Sequence, residues 1–295
     1  MFRTKSGWSE IYFNKKKSYV ATKHLKLTKK ISFLMDKSQI YTYEVAQDGI
    51  ISLKYSYQKS GWNVWKTRDG KTEVLSERET NYALEEKEGG QTFEWLNYPL
   101  YVGKKVTYSN ATTKIISLTK TVKTIAGTFK NCIELQELQS GSTYYFAPGV
   151  GLVLVKDGSK IDMQLAQKKS PSQIKADELA ITELIKRNTK NTAEENMNEY
   201  LKDIVKERRN DSQLIAEMEE LFKNVDLNYE IQNIKFISMT DKEVIVEVKT
   251  KATATNVAEG YVYSNNISTA VHSIIKQDGK FVFNKSVITD IDYIN

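Results

Sequence analysis

The sequence reads as an α+β protein: an antiparallel β-rich first part, forming a curved sheet or open barrel, then a helix-then-sheet, cone-like domain. Three observations point to this. Between Ile40 and Ser159 short apolar runs alternate with turn signals at short intervals. After about Ser172 the apolar period becomes helical, three and four residues apart, and then returns to long strands. Seventeen Tyr and four Trp, with many Val, Ile and Thr, suit the pleated, half-buried surface of sheets, and only three Pro interrupt it. A chain of 295 residues accommodates two or three domains, and the pattern divides it into 1–30, 38–160 and 172–295.

In the first segment, Trp8 to Phe13 alternates large apolar with polar residues, as a strand does. Asn14 to Lys17 reads as a turn and Ser18 to Ala21 as a second strand. Two strands alone are marginal in water and need a partner sheet. In the second segment the expected strands are Ile50–Tyr55, Val64–Thr67, Val106–Tyr108, Ile115–Leu118, Thr121–Thr124, Cys132–Leu135, Thr143–Phe146 and Leu152–Val155, with a tight turn at Asp69-Gly70. Gly127, Gly149 and Gly151 read as turn or bulge positions needing positive φ. A strand, not a helix, follows Gly149-Val150-Gly151, which speaks against a phosphate cradle.

Gln167 to Ser172 reads as the linker. Beyond it, Ile174, Ile181, Leu184 and Ile185 mark a first helix, Thr192 to Glu195 a capping box, and Met197, Tyr200, Leu201, Ile204 and Val205 a second helix. A third begins near Asp211 or Ser212. Strands are expected at Tyr229–Met239, Glu243–Thr253, Tyr261–Gln277 and Lys280–Tyr293, with turns at Asp241-Lys242 and Asp278-Gly279. Helices followed by long antiparallel strands make an α+β domain.

The net charge of +6 is concentrated at the start of the chain. Residues 1–30 carry nine Lys or Arg and one acid, Glu10; the remainder is close to neutral. Such an end suits an anionic polymer, and equally serves as a solubilising face. The single cysteine, Cys132, excludes an internal disulfide and four-Cys metal sites, and reads as a small buried residue. No apolar run reaches the roughly 20 residues of a membrane helix. The start lacks an apolar signal segment, which leaves a cytoplasmic protein or one whose natural beginning lies upstream.

Three resemblances bear on these segments. Gly7-Trp8, the charged turn, Ser18-Tyr19-Val20 and Thr22 to Leu25 resemble the final third of a bacterial Src-homology-three-like wall-associated domain, with Ser18 where that family carries Gly. Tyr98 to Lys104, Ala126 to Cys132 and Tyr144 to Val153 resemble a β-domain of extracellular proteins and lipoproteins of Bacillus-like bacteria, a family not known to be enzymatic. The last 120 or so residues resemble the nuclear-transport-factor-two-like, or SnoaL-like, cone fold. Leu221-Phe222, Tyr229 to Phe236, Val244 to Val248, Ile274 to Phe283 and Ile291 to Tyr293 carry that likeness. These resemblances imply an extracellular or envelope setting, and for the cone a cavity that in its enzymes holds an acid/base pair.

No metal-ligand spacing or cofactor motif appears, so no cofactor or metal is expected. The chain has two His, His24 and His272. For cavity chemistry the residues to test are His272, Asp203, Tyr261 and Tyr263. Asp203 falls on the polar side of its helical stripe, which argues against its pointing inward. His272 in a strand has the ordinary reading of a sheet-face residue. For binding at the basic end the candidates are Trp8, Tyr12, Lys15, Lys16, Lys17 and Tyr19. The expected function is non-enzymatic binding in the bacterial envelope or extracellular space, to wall polymer, peptide or a protein partner. The alternative is a lyase- or isomerase-type enzyme, or a small-ligand site, in the C-terminal cone. Nucleic acid is disfavoured because the basic segment is too short for a complete module, and the cone likeness implies a homodimer.

Overall fold

The computed structural model describes residues 4–13, 16–21, 31–108 and 111–294. It divides into two compact units at Pro171/Ser172. The α+β expectation holds: both units are built on antiparallel sheets, and the helices sit in the second.

A three-stranded antiparallel sheet opens the chain: β1 (Thr4–Lys5), β2 (Trp8–Phe13) and β3 (Lys16–Ala21), in the order β1-β2-β3. The strand β2 is where its alternation placed it. Lys16 and Lys17, expected in the turn, begin β3, opposite Phe13 and Tyr12.

Among the described residues, the other strands of the first unit form one sheet of twelve. They are β4 (Ile40–Val45), β5 (Gly49–Lys59), β6 (Trp62–Thr67), β7 (Glu73–Glu79), β8 (Ala83–Glu88), β9 (Gln91–Asn97), β10 (Lys105–Tyr108), β11 (Ala111–Thr124), β12 (Gly127–Glu137), β13 (Thr143–Ala147), β14 (Gly151–Asp157) and β15 (Lys160–Lys169). Neighbours in sequence pair as hairpins, and β15 pairs with β4, so the order runs β10 to β15 and then β4 to β9. The ends, β9 and β10, approach each other without a ladder, leaving a nearly closed barrel.

Several expectations change here. The separate strands at Ile115–Leu118 and Thr121–Thr124 are one strand, β11, whose register against β12 shifts three times; bulges, which need no turn residues, bend it. The expected linker is not one: β15 runs to Lys169, Gln167 is buried in it, and only Ser170 separates it from the first helix. Strands β7, β8 and β9 were not expected; in β7 and β8 three Glu each hide the alternation. Cys132 is fully buried as expected, and burial pushes its thiol up to about 11. Gly127, Gly149 and Gly151 all take positive φ.

The segment 31–36 spans the barrel interior before β4 begins. At one end Gly149 N–H donates to the Ser32 carbonyl (2.7 Å). In its middle, Phe33 and Met35 bury their side chains in the two halves of the core. At the other end Met35 N–H donates to the Glu77 carboxylate (3.1 Å), and Asp36 N–H to the Tyr41 hydroxyl (2.7 Å). Gly151 makes room for this segment: a Cβ there would stand 2.9 Å from Met35 Cγ.

In the second unit α1 (Pro171–Ala193) buries Ile174, Ile181, Leu184 and Ile185, the stripe its spacing announced. It is longer than expected. Thr192 does not cap a new helix; it lies in the last turn of α1 and its hydroxyl donates back to the Asn188 carbonyl (2.9 Å). The cap belongs to Asn196, whose side chain accepts from Glu199 N–H ahead of α2 (Met197–Lys202). That helix is short, and Ile204 and Val205 leave it to run beside a strand. After a 3-10 turn at Lys206–Arg208, Asp211 caps α3 (Ser212–Asn224), as expected. The sheet that follows has the order β16 (Val225–Met239), β17 (Val244–Val257), β18 (Asn266–Gln277), β19 (Lys280–Tyr293). Both expected turns close hairpins here. The third strand begins at Asn266, so Tyr261 and Tyr263 lie in the preceding loop.

Gly151→Ala is expected to lower stability by about 1–3 kcal/mol, because it combines a strained φ with a clash against Met35. Thermal denaturation of the two proteins checks this, and Met35→Ala in the same background should relieve part of the loss.

Candidate functional site

Within the second unit the helices and the sheet enclose a cleft of about 460 Å³. Its apolar walls come from α1 (Ile185), from the segment after α2 (Ile204), from α3 (Leu214, Met218, Leu221) and from the sheet (Val248, Ala270, Phe283). Polar groups converge on it from β16 to β19: Tyr229, Thr250, Ser268, His272 and Ser286. Arg208, Glu217 and Lys285 supply its charges.

His272, one of the residues singled out for cavity chemistry, lines this cleft. Its Nδ1 and the Ser286 hydroxyl are hydrogen-bonded at 2.8 Å, with either group able to donate. Its ring stands edge-on to Phe283, centroids 5.1 Å apart. Burial, which disfavours the charged form, holds its pKa down at about 4. The imidazole is therefore neutral near pH 7. Burial also raises the Tyr229 and Tyr200 hydroxyls, keeping both protonated.

Asp203 is corrected. It is buried, 4% exposed, despite its place on the polar side of the stripe. It ends α2 and faces α1, where Arg187 Nε donates to both its oxygens (3.1 and 3.3 Å). Helical periodicity failed because the helix stops there: the Asp203 carbonyl accepts from Phe283 N–H (2.8 Å), and Val205 N–H donates to the Phe283 carbonyl (2.9 Å), pinning the segment to β19. Asp203 is thus a structural anchor and no partner of His272. Tyr261 and Tyr263 do not line the cleft either; Tyr263 Oη accepts from Asn266 Nδ2 (3.1 Å). Ser286, Tyr229 and Tyr200 are the cleft residues that sequence reasoning missed as site residues.

At the basic end, Trp8 and Tyr19 are 54% and 60% exposed. The β2–β3 register puts Trp8, Glu10, Tyr19 and Lys17 on one face. Lys17 Nζ sits 2.8 Å from Glu10 and 5.8 Å from the Tyr19 ring, so the single acid of the segment is paired with one of its lysines. Lys16 is exposed. Lys15 and the Tyr12 side chain lie outside the described residues, as do His24 and Thr22 to Leu25.

Residues 183–294 match the family of the anti-sigma-I factor RsgI9 C-terminal domain. The match spans most of the second unit and less than half of the chain. That family is bacterial, and its description places the domain in a regulatory protein. No curated protein matches the chain. Among the described residues no helix is long and apolar enough to cross a membrane, and no group of three or more His, Cys, Asp or Glu is placed to hold a metal.

The low pKa of His272 has a signed consequence. In the unfolded chain the imidazole takes up a proton near pH 6.5; in the fold it does so only near 4. Stability is complete above 6.5 and is lost as pH falls from 6.5 toward 4. His272→Asn should flatten this segment of the stability–pH curve, measured by urea denaturation. Arg187→Ala should cost about 2 kcal/mol at pH 7, since it strips a buried carboxylate of charged donors, with unfolding midpoints as the check.

Proposed function

We propose that this chain is the ligand-sensing part of a bacterial regulatory protein of the anti-sigma kind, active at the cell envelope or outside the cell. One observation carries the reading. The unit that matches the anti-sigma-I factor domain holds a cleft with an apolar body, hydroxyl groups and a neutral imidazole, which is the surface of a binding site. A ligand with an apolar part and several hydroxyl or amide groups fits it; a fragment of wall polymer or a short peptide has that chemistry. The exposed aromatic and lysine face of β2 and β3 supports contact with a larger anionic polymer. A protein partner, in the named family a sigma factor, belongs to the same reading. The outer half of β19 offers it an exposed strand edge with Val287, Ile288, Ile291 and Tyr293. The same edge could pair two copies.

The second reading is a lyase- or isomerase-type reaction in the cleft, favoured by the His272–Ser286 hydrogen bond. Asp203, the acid the sequence offered for it, is committed to Arg187 and does not line the cleft.

Titration of the isotope-labelled chain with soluble cell-wall fragments and wall-derived peptides tests the proposal. Binding should shift the resonances of His272, Tyr229 and Ser286, and Tyr229→Ala with His272→Ala should weaken it at least tenfold. Shifts confined to residues 8–21 would move the binding to the basic end and overturn the cleft reading. Turnover of a cleft ligand that is lost in Ser286→Ala would favour the enzyme.

A further inference from the structure

We propose that the interior of the twelve-stranded sheet is a separate ligand site, shaped for a medium-length aliphatic molecule with an ammonium head. The sheet encloses a cavity of about 380 Å³ between segment 31–36 and the inner face of the strands. That lies within the roughly 300–1,000 Å³ of small-molecule sites. Its walls are mostly aliphatic, with Val45, Ile51, Leu53, Val74, Leu84 and Met163, and are closed by aromatic rings. Such a surface recognises hydrocarbon through the area it removes from water.

The charges lining the cavity have one sign. Of its described lining residues Asp48, Glu77, Glu85 and Glu86 are acidic and none is Lys or Arg; the β7–β8 register sets Glu86 beside Glu77 on the inner face and Glu85 beside Arg78 on the other. Asp48 is exposed, whereas Glu77 is deeply buried at 5% exposure. Arg78 pairs with Glu85 but lies over the Trp62 ring, 4.3 Å from its centre. Glu77 accepts from Met35 N–H (3.1 Å) and Trp65 Nε1 (3.0 Å). A carboxylate has about four acceptor positions, so it retains capacity for another donor. Burial pushes Glu77 up to about 8, and none of its described neighbours is a counter-cation. A ligand ammonium would supply that cation and let Glu77 ionise, while an anionic head would meet acids alone. The buried Nε1 of Trp95, in the same wall, has no hydrogen-bond partner among the described residues. An oxygen on the ligand would satisfy it.

The test is calorimetric titration of the full chain with n-alkylamines from hexylamine to dodecylamine, with 1-decanol and with decanoate. Affinity for the amines should rise about fourfold per methylene, the factor equivalent to about 0.8 kcal/mol, and level off when the cavity is full. Decanoate should bind at least tenfold more weakly than decylamine. Glu77→Gln should cost decylamine tenfold or more and change 1-decanol less than threefold. Because Glu77 also holds Met35 and Trp65, Val74→Phe serves as a second variant; it should weaken every probe while circular dichroism stays unchanged. Decanoate binding as tightly as decylamine, amine affinity independent of chain length, or no saturable binding by the folded protein would each overturn the proposal.

Discussion

The first unit depends on a buried carboxyl group. Glu77 reaches across the barrel interior to the backbone of Met35 and to the indole of Trp65. Burying such a group is costly unless hydrogen bonds compensate. The segment that supplies the backbone donor is therefore held where the barrel would otherwise be open. From there the constraints spread. Met35 must lie over position 151, so that position has room only for glycine. Tyr43, with its hydroxyl donating to the Leu152 carbonyl (2.9 Å), joins β4 to β14 across the same interior. The segment fills part of the barrel and leaves the rest as a cavity.

The second unit repeats the device with different chemistry. Asp203 is buried at the end of a one-and-a-half-turn helix, and Arg187 of α1 compensates it. Its carbonyl and the Val205 amide clamp Phe283 at the start of β19. Phe283 in turn packs edge-on against His272. The chain of contacts runs from the Arg187–Asp203 ion pair to the imidazole in the cleft. It explains how His272 is held in its place. Neutral and hydrogen-bonded to a hydroxyl, the ring is better suited to recognising a ligand than to moving a proton through a charged state.

The similarity to an anti-sigma-I factor domain falls on this second unit. The barrel and the basic hairpin lie outside the match, so any role they add must be argued from their own residues. The barrel offers a negatively lined interior, and the hairpin an aromatic face beside lysines. The opposite character of these surfaces suits different ligands.

Much of the fold was legible in the sequence because it rests on local rules. The two-residue period of Trp8 to Phe13, the Asp278-Gly279 turn, the apolar stripe of α1 and the Asp211 cap are decided by neighbours in the chain. The Glu-rich strands β7 and β8 were not legible, since they are strands only by virtue of the partners beside them. The site was legible in one residue, His272. Its partner was not: a plain hairpin from the Asp278-Gly279 turn would set His272 opposite Lys285, and a bulge between Ile274 and Ser273 shifts the register to Ser286. Asp203 failed for a similar reason, as its helix ends where a strand edge captures it. The sequence by itself determined the fold class, most of the turns and the candidate histidine, all properties of short windows. Only the tertiary structure decided which carboxylates are buried, what compensates them and which side chains share a cavity. Burial and charge pairing join residues distant in the chain, and no local pattern records that.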